Sequence, residues 1–385
     1  MGDFIGTSSS TDNIIAALGQ SNRVCDVCLL VSANSQWEEV MAAMQVPFPE
    51  LTRLHLKLSS HNETLPAIPE SFLGGSAPHL QYLSLSGILF PGLPKLLLST
   101  VHLVFLDLLI PHSGYISPEA MVALLSMLAS LDTLSLEFKS PQSRPDQESR
   151  CPPPLKRSIL PTLNYFDFNG VTGYLEELVT HIDTPQLRLF STIFINQIDF
   201  DCPRLPQFIN RTPTLRSRAH KARVEFDDSR ISVSLEARPR THHIKIKWTE
   251  PDRQLLSVAR FCTNSSLHPL STVEDLYIVH RYRKRFWMID AIESTLCLQL
   301  FLPFTAMKNL YLFKEFAPGI AAALQELVGD RISEVLPSLQ NIFVEELEAS
   351  GPVHEYFGQF VAARQFSNHP VSIFDWERGS DMRWM

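Results

Sequence analysis

Apolar residues recur along this chain at positions i, i+3 and i+5, in short segments separated by mixed stretches. The clearest copies are Leu51, Leu54, Leu56; Leu80, Leu83, Leu85; Leu103, Leu106, Leu108; and Leu131, Leu134, Leu136. Further copies are Leu163, Phe166, Phe168; Val273, Leu276, Ile278; Met307, Leu310, Leu312; and Leu339, Ile342, Val344, and Val24, Val27, Leu29 fit as the first. In each, the last two apolar positions flank one residue of another kind, the period-two pattern of a strand buried on one side. From Leu51 to Leu163 the leading positions step by 29, 23, 28 and 32 residues.

A strand at that interval falls near the roughly 20–29-residue period of leucine-rich repeats. One copy alone leaves its apolar side wet, and only stacking against the next copy buries it. The pattern therefore predicts an α/β leucine-rich-repeat solenoid. It should be curved and irregular, with parallel strands on the concave face and helices or loops on the convex one. Proline punctuation supports it: Pro49-Glu50-Leu51, Pro78-His79-Leu80, Pro161-Thr162-Leu163, Pro185-Gln186-Leu187, Pro213-Thr214-Leu215 and Pro337-Ser338-Leu339 each end a helix and set an extended start. Helical stretches are expected at 120–128, opened by Ser117-Pro118-Glu119, and at 175–182, 254–261 and 320–328.

The same reading divides the chain. Residues 1–11, rich in Gly, Ser and Thr, are expected to form a disordered tail, and 12–385 the solenoid. A mobile loop is expected at about 139–158, which holds five prolines. A cap is expected at about 350–385, with a helix to about Gln365 and a closing strand near 371–374. The middle is less regular. Residues 193–200 depart from the template, although Leu187 and Phe190 keep its first two positions. Between Leu215 and Val273, Ile244 and Ile246 supply a repeat strand, and Val224-Phe226 and Ile231-Val233-Leu235 alternate as extra strands ahead of it.

Composition narrows the function classes. With 385 residues, 45% of them hydrophobic, the chain can bury a large core. A net charge of −8 and a pI near 5.9 argue against a nucleic-acid binder. No apolar run reaches the roughly 18 residues of a membrane span, and the first ten residues lack a secretion signal. Gly2 is not followed by the acylation pattern, since Gly6 stands where Ser or Thr is needed. Six scattered cysteines (Cys25, Cys28, Cys151, Cys202, Cys262, Cys297) read as reduced thiols, which points to the cytoplasm or nucleus. The glycosylation sequons at Asn62, Asn210 and Asn264 are then chance matches.

Candidate chemistry is sparse. Cys25-x-x-Cys28 lacks the two further ligands of a zinc site, and His242-His243 point to opposite sides of a strand. Gly74-Gly75-Ser76 lacks the Lys of a nucleotide loop and reads as a turn. No catalytic signature occurs, so no enzymatic activity, metal or cofactor is expected. Lys245 and Lys247, with Arg281 and Arg283 just after the next strand, are expected to form one basic patch across neighbouring repeats, suited to an anion or acidic partner. The outward strand positions bring Tyr82, Phe105, Tyr165, Tyr277, Tyr311 and Phe343 to the concave face, the chemistry of protein-binding hot spots.

Several stretches resemble basidiomycete F-box proteins with degenerate leucine-rich repeats. They are 13–18 running into Arg23-Val24-Cys25, Phe72-Leu73-Gly74-Gly75-Ser76-Ala77-Pro78-His79-Leu80-Gln81, 254–259, and Phe360-Val361-Ala362-Ala363-Arg364-Gln365. The resemblance spans roughly residues 12–380. It implies substrate recognition within a cullin-based ubiquitin ligase, with a protein target. Family members dock a Skp-type adaptor through an N-terminal F-box with a Leu-Pro start and a Trp-x-x-Val-Cys-x-x-Trp run. Here the first repeat opens at Val24 with no such motif ahead of it. The expectation is thus the recognition half of a ligase receptor, with the adaptor as partner only if an F-box precedes Met1. The alternative is a scaffold or competitor without a ligase.

Overall fold

Each of these alternations forms a strand in the computed structural model of the chain, since its apolar pair has one side to bury. The structure describes residues 4–5, 8–31, 34–58, 67–91, 93–111, 113–138, 157–195, 202–226, 231–237, 243–248, 258–259, 262–263, 269–280, 294–327, 331–348 and 350–377.

One compact unit spans Met1–Leu187. Its strands are β1 (Phe4–Ile5), β2 (Asp26–Val31), β3 (Arg53–Leu58), β4 (Tyr82–Ser86), β5 (Phe105–Ile110), β6 (Thr133–Phe138), β7 (Ser158–Ile159), β8 (Tyr165–Gly170) and β9 (Ile182–Asp183). β1 to β6 and β8 lie side by side in chain order, all parallel, while β7 and β9 pair separately. Register aligns Val27, Leu54, Leu83, Leu106, Leu134 and Phe166 in one inward row and Leu29, Leu56, Leu85, Leu108, Leu136 and Phe168 in the next, all buried.

Two backbone devices repeat. The leading leucine closes a tight turn by donating to the carbonyl three residues back: Leu51 N to Phe48 O at 3.2 Å, Leu80 N to Ala77 O at 3.2 Å, Leu131 N to Leu128 O at 3.1 Å. A single carbonyl then accepts two successive N–H groups of the next copy, as Thr52 O does from Gln81 (2.8 Å) and Tyr82 (3.0 Å). The Pro-x-Leu punctuation sits inside that turn. Helices carry the chain back and bury apolar residues over the inward rows, among them Met121 and Leu125 of Pro118–Leu125 and Leu175 and Leu178 of Thr172–His181. Ser117 caps the former, its Oγ accepting from Ala120 N at 3.2 Å.

The other unit spans Arg188–Met385, with β10 (Leu189–Phe194), β11 (Ala219–Phe226), β12 (Ile231–Ala237), β13 (His243–Trp248), β14 (Asp275–His280), β15 (Asn309–Leu312), β16 (Asn341–Glu345) and β17 (Ser372–Trp376). Their order is β10-β13-β12-β11-β14-β15-β16-β17. Here the expected parallel arrangement is kept except at the extra strands. The chain passes β10 to lay β11 beside β14, then doubles back twice, so β12 is antiparallel to both its neighbours. The strand of Ile244 and Ile246 consequently lies beside β10, not beside β14. Inward burial is kept across the reversal: Ala222 and Val224 meet Leu235 and Val233, which meet Ile244 and Ile246.

Other expectations shift in detail. β10 is a regular strand whose inward residues are Phe190, Thr192 and Phe194; a threonine in the third apolar position hid it. The first helix begins at Ser8, and Phe4–Ile5 already pairs with β2, so part of the expected 1–11 tail is in regular structure. Of the proline-rich loop, 139–156 lie outside the described residues, as does most of the helix expected at 254–261. Phe72–Gly75 is a tight turn with Leu73, Gly74 and Gly75 all at positive φ, as the turn reading required. The C-terminal part contains the helix Pro352–Phe366 and β17, where Asp375 takes the inward place beside Val344 and accepts from Leu347 N at 2.9 Å.

Candidate interaction surface

A strand with one side buried offers the other to solvent, and strand register decides which outward residues become neighbours. In the first unit, Asp26, Arg53, Tyr82, Phe105, Thr133 and Tyr165 form one outward row. Tyr82 and Phe105 stack at 4.2 Å with planes 6° apart. The Arg53 guanidinium lies 4.9 Å over the Tyr82 ring and 3.8 Å from Asp26. In the adjacent row Ser84 donates to Asp107 at 2.8 Å. Burial, aided by the Asp107 charge, raises the Tyr82 hydroxyl above its ordinary pKa, and burial with Asp167 does the same for Tyr165. Thr133 separates Tyr165 from Phe105, so Tyr165 stands outside that stack.

The second unit concentrates the aromatics. Tyr277, Tyr311, Phe343 and Phe374 occupy one outward row on four adjacent parallel strands. Successive rings stack at 4.3, 4.6 and 5.2 Å, with interplanar angles of 4, 8 and 21°. Trp376 approaches edge-on, 5.5 Å from Tyr311 and 6.4 Å from Tyr277. Desolvation, followed by the neighbouring Tyr311 and Asp275, pushes the Tyr277 hydroxyl well up. Parallel, in-register strands impose this: identical outward positions fall about 4.8 Å apart, close to aromatic stacking distance. A polar ladder runs beside it, Asn341 donating to Asn309 at 2.8 Å and Asn309 to Asp275 at 2.7 Å.

The six aromatics expected on the outward side thus divide into the Tyr82–Phe105 pair, the Tyr277–Tyr311–Phe343 stack and a separate Tyr165. Of the expected basic patch, only Lys245 has a described side chain, and its strand does not adjoin β14 as the repeat spacing implied, because β12 and β11 lie between β13 and β14. Its row neighbour across Ser234 is Arg223 of β11, and Lys221 Nζ lies 5.6 Å over the Tyr277 ring. The Lys247 side chain, Arg281 and Arg283 lie outside the described residues. Sequence reasoning missed Phe374, Trp376, Lys221 and Arg223. The first two follow the Phe374-x-Trp376 alternation of β17; the other two follow the Lys221-x-Arg223 alternation of β11.

Among the described residues no three His, Cys, Asp or Glu cluster as metal ligands, and no helix is long and apolar enough to cross a membrane. Cys25 and Cys28 are both exposed.

No family model and no curated protein matches the chain. Among solved structures, it is similar to the crystal structure of the leucine-rich repeat-containing protein LegL7 from Legionella pneumophila, at 13% identity, covering 87% of this chain and 96% of that one, with a TM-score of 0.28. A superposition that loose says nothing about function.

Proposed function

We propose that the chain is a non-enzymatic protein-interaction module that captures a protein partner on the outward side of its second unit. The observation that carries this reading is the aromatic ladder from Tyr277 to Phe374 with Trp376 set against it. Stacked rings contribute about 0.5–1.5 kcal/mol per pair to the sheet. Sheet stability alone does not call for them on the solvent side, where Phe374 remains 44% exposed. Large, rigid aromatics half-shielded by one another are the chemistry that dominates protein–protein binding energy. A variant with Tyr277, Tyr311 and Phe343 replaced by Ala should unfold cooperatively and fail to retain the partners that the unaltered chain retains in cross-linked affinity purification. Retention of the same partners by the variant would remove the proposal.

Our finer proposal is the substrate-recognition part of an F-box-type ubiquitin-ligase receptor in the cytoplasm or nucleus. The resemblance of 13–25, 72–81 and 360–365 to that family supports it. Co-purification of the natural full-length product with a Skp-type adaptor tests it. Its absence from that complex leaves a scaffold or competitor that binds partners without a ligase.

A further inference from the structure

We infer that the second unit reads an extended peptide segment of its partner in which an acidic side chain stands three residues from a bulky apolar one. The inference rests on the capture reading and adds the chemistry of the captured segment. Lys245, Ser234, Arg223, Tyr277, Tyr311 and Phe343 form one unbroken outward row across six adjacent strands. One half of it is cationic and hydroxylic, the other aromatic.

In the neighbouring row Lys221 stands in register between Glu236 and Asp275, and its ammonium lies 5.6 Å over the Tyr277 ring of the central row. The central row holds no acid. Among the described residues, neither Arg223 nor Lys245 lies within ion-pairing distance of a carboxylate. Ser234, between them in register, is 7% exposed although it points outward. Two cations around one hydroxyl supply donors for a single carboxylate.

The flanking rows choose among anions. Glu236 and Asp275 on one side and Glu225 on the other border the cations, and the chain carries a net charge of −8. A polyanion, such as a nucleic acid or an acidic membrane, would be repelled there; a lone carboxylate with apolar neighbours would not. Spacing follows from strand geometry. Arg223 and Tyr311 are two strands apart, roughly 10 Å, and an extended peptide advances about 3.3 Å per residue, which gives three residues between acid and apolar anchor. Tyr277 and Tyr311 receive that anchor, with Trp376 at their edge.

Panning a random-peptide phage library against the full chain tests this. The expected outcome is enrichment of peptides with Asp or Glu three positions from Phe, Leu or Trp. A synthetic copy of the most enriched peptide should bind about tenfold more weakly to a variant carrying Arg223→Gln and Lys245→Gln, whose thermal midpoint stays near that of the unaltered chain. Enriched peptides without an acid, or affinity unchanged in that double variant, overturn the inference. The capture reading survives that result if Tyr311→Ala with Phe343→Ala abolishes binding of the same peptides. No enrichment over a bare surface, or binding indifferent to all four substitutions, overturns both.

Discussion

Thr192 occupies an inward position of β10 in line with Ile246, fully buried, and its hydroxyl has no hydrogen-bond partner among the described residues. A buried hydroxyl without a partner costs about 1–3 kcal/mol relative to water, whereas valine has nearly the same shape and no such cost. Thr192→Val should therefore raise stability by about 1 kcal/mol, read as a higher urea midpoint at unchanged slope. A lower midpoint would mean that the hydroxyl is bonded. The cysteines give a second residue-scale prediction. Burial pushes the Cys262 and Cys297 thiols up to about 12, because the thiolate loses its solvent there. At about pH 8, iodoacetamide should label the exposed Cys25 and Cys28 first and reach Cys262 and Cys297 only after unfolding. The sign for stability follows: the folded chain keeps protons that the unfolded chain releases, so stability should fall as pH rises above about 9. Both residue types were partly legible. Alternation marks an inward position only where an apolar residue fills it, so Thr192 went unmarked, and burial of a cysteine far from any strand template is a tertiary fact.

The helix Pro352–Phe366 shows what one element adds beyond its apolar residues. Arg364 is fully buried, and its guanidinium donates to Leu336 O, Pro337 O and Leu339 O at 3.2, 3.5 and 3.4 Å. Those carbonyls belong to the turn that opens β16, where Leu336 has φ 57°. Desolvation lowers the Arg364 pKa, and the three carbonyl bonds offset that cost in the folded state. Arg364→Ala should destabilise by about 2–4 kcal/mol, and Arg364→Met, which restores bulk without donors, should recover only part of it by urea unfolding. Full recovery by methionine would reduce the role to packing. From sequence, this arginine is only one residue of a helical stretch, since its acceptors lie 25–28 positions away. Strand order has the same limit. Period-two alternation marked Val224, Val233 and Ile244 as inward, and all three are. It says nothing of which strand pairs with which, so the reversal of β11, β12 and β13 was not legible, nor was the meeting of Lys245 with Arg223.

At the scale of the molecule, a stack of repeats is stabilised by nearest neighbours and is vulnerable where the stack stops. β17 and the helix Pro352–Phe366 are the last described elements of the second unit. The helix buries Phe357 and Phe360 beside Arg364, and β17 pairs with β16 along its length. Asp375 places a carboxylate at the register position beside Val344, where it accepts from Leu347 N. The same strand carries Phe374, the next ring of the aromatic row, and Trp376, set against it, so edge pairing and the proposed recognition meet on one element. Two variants separate these roles. Deleting 350–385 uncovers the apolar surface under Phe357 and Phe360 and leaves β16 as an exposed edge, which invites pairing with another copy. That variant should lose several kcal/mol of stability and elute as oligomers in size-exclusion chromatography with light scattering. Trp376→Ala removes one half-buried ring at the solvent side and leaves the β16–β17 pairing and Asp375 in place. It should stay at the native oligomeric state with stability lowered by no more than about 1 kcal/mol, yet weaken peptide binding about tenfold. If Trp376→Ala binds as tightly as the unaltered chain, the tryptophan lies outside the recognition surface, which then comprises the stacked row alone.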